Sequence, residues 1–182
     1  MDYEKRKEIN KLANNIRSIL ELEPPVDIER AVKLLNGEIV EEKLEHGMEA
    51  KIIKNTDSDY PAFKIYINPE IIGNNERRKR FSIAHELGHL FLHMGYLINE
   101  EKWNQIENYT DSVYYRFGHN EEEYEAHEFA ASFLMPEKHF REIAKKNYSN
   151  GYYNIGPIAD HFDVSKDAAT NRGRWLGMFS WE

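Results

Sequence analysis

His85-Glu86-Leu87-Gly88-His89 is the stretch of this chain whose residue types and spacing can do chemistry. On a helix of about 3.6 residues per turn, His85 and His89 lie on one face, so both imidazoles can hold one tetrahedral metal ion while Glu86 reaches a water bound to it. A five-residue pattern also arises by chance, and its surroundings decide. Asn74-Asn75 offers a cap, residues 77–84 run into the motif without a breaker, and Gly95 supplies a stop. Ile83, Leu87, Leu90, Phe91 and Met94 form an apolar stripe with His85, Glu86 and His89 on its shoulder. A helix buried on one side, with a polar cluster beside the buried face, suits a zinc ion or another divalent metal.

A catalytic zinc needs a third protein ligand and one open position. The extended pattern H-E-x-x-H-x-x-G-x-x-H is excluded, because Leu92 and Gly95 stand where it needs Gly and His. On a straight helix His93 would lie about 12 Å from His85, which makes it a neighbour or a substrate contact rather than a ligand. The next helical segment, residues 121–135, ends at Pro136 and has Ala126, Phe129, Ala130, Phe133 and Leu134 on its core face. Glu125 flanks that face, Glu122 lies nearer its centre but at the frayed start, and Glu128 points largely away. Spacing leaves Glu125 and Glu122 as candidates. Glu121 and Glu123 read as a solvated helix start favoured by the helix dipole.

The elements that must position these residues follow an α+β order. Residues 4–22 are periodic as a helix ended by Pro24-Pro25, and Asp27 caps a second helix, residues 28–36, with Gly37 as its stop. Residues 38–44 and 50–54 read as strands joined in a hairpin around Glu45-His46-Gly47, and residues 63–68 as a third strand after the turn at 57–61. The expected sheet is small and antiparallel. Residues 96–120 form an aromatic-rich connection without a period, read as a substrate-facing excursion. Tyr109, Tyr114 and His119 from it, together with His93, are candidate donors to a transition-state oxyanion. Residues 137–147 read as a helix, and 148–154 as a loop. A short helix, a turn, a Ser165 cap and a second helix then resemble a helix-turn-helix core. The chain divides as 1–147, the metal-bearing domain, and 148–182, a C-terminal segment packed on it.

With 182 residues, 41% hydrophobic and 13% aromatic, the chain can bury a core and is not broadly disordered. It has no cysteine, so a transition metal must be held by His and carboxylate. No run approaches the roughly 18 apolar residues of a membrane span, and residues 1–7 lead into an amphipathic segment without a signal-peptide core, so the expected location is the cytoplasm. The net charge of −8 argues against nonspecific nucleic-acid binding. Lys166, Arg172 and Arg174 in the tail are set against Asp160, Asp163 and Asp167, so packing is expected over direct DNA reading. The basic run Arg77-Arg78-Lys79-Arg80 reads as a solvated face.

Three blocks, Ile65-Tyr66-Ile67-Asn68, residues 80–93 around His85-Glu86-Leu87-Gly88-His89, and residues 125–136 from Glu125-Ala126 to Met135-Pro136, resemble the ImmA/IrrE family of metallopeptidases over about residues 5–176. The resemblance implies a compact, gluzincin-like zinc endopeptidase in which the Glu preceding Ala in the second helix, here Glu125, is the third ligand. Its substrates would be repressor-like DNA-binding proteins of mobile elements or stress genes. Glu86 would take the proton of the zinc-activated water and pass it to the leaving amine. Residues 63–68 would be the edge strand that pairs with an extended substrate. Where the family usually carries Asn or Asp, this chain has His127, which spacing puts on the surface. The competing expectation is a DNA- or partner-binding transcriptional regulator with an inactive metallopeptidase core.

Overall fold

Two aspartates start the first two helices. The Asp2 carboxylate accepts the Lys5 N–H at 2.8 Å and opens α1 (Tyr3–Ile19), and Asp27 accepts the Arg30 N–H at 2.9 Å and opens α2 (Ile28–Leu34), in a computed structural model that describes residues 1–56, 60–106 and 121–181. The chain turns after α2 through Asn36, at φ +63°, rather than through Gly37. Gly37 already begins β1 (Gly37–Glu41), where a Cβ would stand 2.3 Å from the Phe63 ring. Close packing, not the turn, requires that glycine.

β1, β2 (Ala50–Lys54) and β3 (Phe63–Ile67) form a sheet in the order β1-β3-β2. β3 runs parallel to β1 and antiparallel to β2, so the sheet is mixed rather than antiparallel, and β1 and β2 are not the hairpin expected of them. A short 3-10 turn at Glu45–Gly47 carries the chain across instead. β3 is central because Phe63, Ile65 and Ile67 are all buried, while β1 keeps only Gly37 buried. The strand expected at the edge is thus paired on both sides and cannot add a peptide. The edges are β1 and β2.

After a short helix, α3 (Pro69–Ile72), Asn75 accepts the Arg78 N–H at 3.1 Å and opens α4 (Glu76–Gly88). The basic run at its start is not a solvated face. Arg77 pairs with Asp160 and Asp163, Arg78 with Glu49, Lys79 with Glu41, and Arg80 with Asp163. The helix continues through a single π-helical turn, His89–His93, before Gly95 at φ +78° stops it. α5 (Glu100–Gln105) follows. α6 (Glu121–Leu134) packs on both α1 and α4 and forms the centre of the helical layer.

α7 (Glu137–Lys146) leads to a two-stranded ribbon, β4 (Tyr148–Ser149) and β5 (Tyr152–Tyr153), turned at Asn150-Gly151, both at positive φ. α8 (Ile155–Phe162) and α9 (Lys166–Trp175, capped by Ser165) have the expected helix-turn-helix order. Arg172 of α9 is buried. Its guanidinium donates to the Met135 carbonyl at 3.0 Å, to Glu128 of α6 at 2.9 Å and to Asn10 of α1 at 2.8 Å. No helix among the described residues is long and apolar enough to cross a membrane.

Candidate metal centre

The site begins with a close crossing of two helices. A Cβ on Gly88 would stand 2.9 Å from the Ala126 Cα and 3.0 Å from its carbonyl oxygen, so only glycine lets α4 come this near α6. One turn back from Gly88 is His85, and one turn back from Ala126 is Glu123. The crossing therefore sets the imidazoles of α4 opposite the Glu123 carboxylate. His85 Nε2 lies 3.0 Å from His89 Nε2, Glu123 Oε1 lies 3.1 Å from His89 Nε2, and Glu123 Oε2 lies 3.3 Å from His85 Nε2. Ligand atoms bound at 2.0–2.1 Å to one tetrahedral zinc stand about 3.3 Å apart. The three side chains match that triangle. Glu86, on the same helix, is buried beside them.

Charge bears this out. Burial holds the His85 imidazole down at about 3, so it is a neutral ring with a lone pair to offer. Burial also pulls His89 down, but the Glu123 hydrogen bond and the charges of Glu86, Glu123 and Glu122 outweigh it, and the net shift is upward. Burial pushes Glu123 up, yet its hydrogen bonds with both imidazoles win and hold it well below the usual carboxylate range. An ionised acid and two nearly touching imidazole nitrogens converge here, and a metal ion can displace the hydrogen that His89 shares with Glu123. That donor set fits a borderline-soft divalent cation such as zinc.

Glu125, expected to be the third ligand, is not with this cluster. Its carboxylate meets His93 Nε2 at 3.2 Å and Lys5 Nζ at 3.4 Å, on the other flank of α6. Glu123, read as solvated, is the acid that reaches both rings. The signal for it was present: Glu123 is three residues before Ala126 and seven before Ala130, which places it on the core face that those alanines mark. His127 was also read too simply. It is exposed, but its Nδ1 is 2.9 Å from the Glu123 carbonyl oxygen and its ring stands edge-on to His85 at 4.4 Å. Ligand atoms of His85, Glu123 and His127 all fall within 4.8 Å of one another. Tyr109, Tyr114 and His119 lie outside the described residues, as does most of the 96–120 connection.

His85 lines a cleft of about 940 Å³, with His89 buried behind it. Glu86 and Glu123, Glu49 and Ala50 at the start of β2, and Trp175 of α9 also line it. The IrrE N-terminal-like domain, a peptidase family, matches residues 38–173, well over half of the chain. The chain belongs to that family. A search of curated proteins returned no match. Membership makes this a metallopeptidase-family fold, and the matched span contains every residue of the cluster just described.

Proposed function

We propose that the chain is a zinc-dependent endopeptidase whose metal is held by His85, His89 and Glu123 and whose general base is Glu86. The observation that carries this reading is the triangle of His85 Nε2, His89 Nε2 and Glu123, with sides of 3.0–3.3 Å, whose His85 and Glu123 line an open cleft. When bound, zinc supplies an acidified water and polarises the scissile carbonyl. Glu86, buried next to His85, takes the proton of that water and delivers it to the departing amine. The edge strand β2 borders the cleft and takes the part expected of β3, offering backbone groups to an extended peptide. Glu49 fixes the start of that strand on α4 by accepting from Ser82 and Arg78.

The substrate class comes from family resemblance: a repressor-like DNA-binding protein, cut so that transcription is relieved. The competing reading, a DNA-binding regulator with an idle core, loses support because Arg172, one of three basic residues in α9, is buried against Glu128 and Asn10. Arg174 donates to the Ser180 carbonyl and stacks over Trp181.

The test is Glu86→Gln. Zinc content should be unchanged while cleavage of a co-expressed repressor falls about 10²- to 10⁴-fold. Wild-type cleavage by this variant would remove Glu86 as the base. Glu123→Ala should lose zinc far more severely than Glu125→Ala, and the reverse order would return the ligand role to Glu125.

A further inference from the structure

Behind the proposed ligand His89 lies an unbroken chain of buried polar atoms. His89 Nδ1 is 2.9 Å from His93 Nδ1, and His93 Nε2 is 3.2 Å from Glu125 Oε2. Glu125 Oε1 ends the chain 3.4 Å from Lys5 Nζ, on α1. His89, His93 and Glu125 are all buried. The single π-helical turn at His89–His93 lies between the two rings, where it widens the helix.

Where a cation takes the place of the hydrogen between His89 Nε2 and Glu123, hydrogen-bond bookkeeping allows one arrangement of protons along the rest of the chain. Glu125 can only accept, so His93 Nε2 carries a hydrogen. His93 Nδ1 is then a lone pair, and the hydrogen between the rings sits on His89 Nδ1. His89 Nε2, facing His85 and Glu123, is left as a lone pair. Reversing the His93 tautomer would put the hydrogen on His89 Nε2 and block it as a ligand. From this geometry we infer that Glu125 and His93 are positioning residues that fix the metal-binding tautomer of His89 from behind.

The inference rests on the metal reading above and assigns Glu125 a different part from the one expected of it. Metal-bound histidines usually donate their second N–H directly to a carboxylate or carbonyl. Here an imidazole stands between the ligand and the acid, which carries the orienting charge across to α6.

The experiment uses the full chain, with zinc as the probe. His93→Leu should weaken zinc binding about 10- to 100-fold, the usual cost of losing an outer partner. His93→Gln, whose side-chain oxygen can accept the same N–H, should recover most of that loss. Glu125→Ala, which keeps His93 in place, should give a smaller loss of the same kind and serves if His93→Leu does not fold. Nitrogen NMR of the zinc-loaded wild type should find the hydrogen on Nδ1 of His89 and on Nε2 of His93. Wild-type affinity in His93→Leu and Glu125→Ala would overturn the inference, and so would a hydrogen on Nδ1 of His93 in the zinc-loaded protein or an equal loss in His93→Leu and His93→Gln. His85→Ala separates the two readings. If it kept its zinc, the metal assignment would fall; if it lost its zinc while His93→Leu kept wild-type affinity, the metal assignment would stand and the relay would fall.

Discussion

Glu123 and Glu128 lie five residues apart on α6, and both leave bulk water, yet their surroundings differ in kind. Glu128 accepts from Arg172 at 2.9 Å and from Asn10 at 2.6 Å, with Arg6 at 3.5 Å. Its charge is matched by a guanidinium fixed in the core, and Asn10 in turn accepts from Ser132. Glu123 faces two imidazoles, one of them held neutral by burial. The first acid is satisfied within the chain. The second faces ring nitrogens whose shared hydrogen a metal ion can displace. Glu123 is only partly buried and Glu128 fully so, and it is their partners that tell the ligand from the structural acid.

Arg172→Ala should have the largest effect, because it strips the partner from a buried carboxylate. Breaking such a pair costs about 3–5 kcal/mol, a large share of a typical domain stability of 5–15 kcal/mol. Denaturant unfolding should show that loss, with the zinc affinity of the folded protein unchanged. A stable Arg172→Ala variant that binds zinc poorly would erase the distinction between the two acids.

Glu123→Ala should behave in the opposite way. Zinc affinity should fall by more than the roughly 100-fold seen when an outer partner is removed. Competition against a metal indicator measures it. Metal-free stability should fall less than for Arg172→Ala, since the ring that loses its partner, His89, can give up its proton and a guanidinium cannot.

Features that depend on neighbours in sequence were legible there. Asp27, Asn75 and Ser165 cap the helices expected of them, Gly95 stops the motif helix, and His85, Glu86 and His89 are clustered as the motif requires. Features set by distant partners were not. The strand order depends on β1 pairing with β3 across two intervening segments. The basic run at 77–80 looks solvated until Asp160, Asp163, Glu49 and Glu41 are brought to it. Glu123 was missed because its phase on α6 gains meaning only once Ala126 is known to rest on Gly88. The resemblance named an acid near Ala126, and the crossing selects which acid reaches the rings.

That crossing can be tested on its own. Gly88→Ala gains about 1 kcal/mol of helix propensity but places a methyl group against the Ala126 backbone, a crowding that costs about 1–3 kcal/mol. Thermal unfolding should therefore register a net loss of at most about 2 kcal/mol. Zinc affinity should drop about tenfold as His85 and Glu123 separate, a smaller change than for Glu123→Ala. Unchanged affinity would mean that the crossing does not set the site.

The smallest effect is expected at a second pair of imidazoles, where no acid completes the set. His139 Nε2 and His161 Nε2 lie 3.2 Å apart between α7 and α8, and no cluster of three donors among the described residues includes them. Burial, then the charges of His139 and Lys146, lower the His161 pKa from 6.5. The folded value thus lies below the unfolded one. The stability this ring contributes is complete above about pH 6.5 and is lost as the pH falls below it toward the folded value. Because His161 is partly exposed, the loss between pH 7 and 5 should stay under about 1 kcal/mol. His161→Gln keeps a hydrogen-bonding side chain without the titration, and should flatten stability against pH in that range. Zinc should not bind at this pair when His85 and Glu123 are both replaced by alanine. Tight binding there would show that two close imidazoles suffice, and that the acid is not what marks the site on α6.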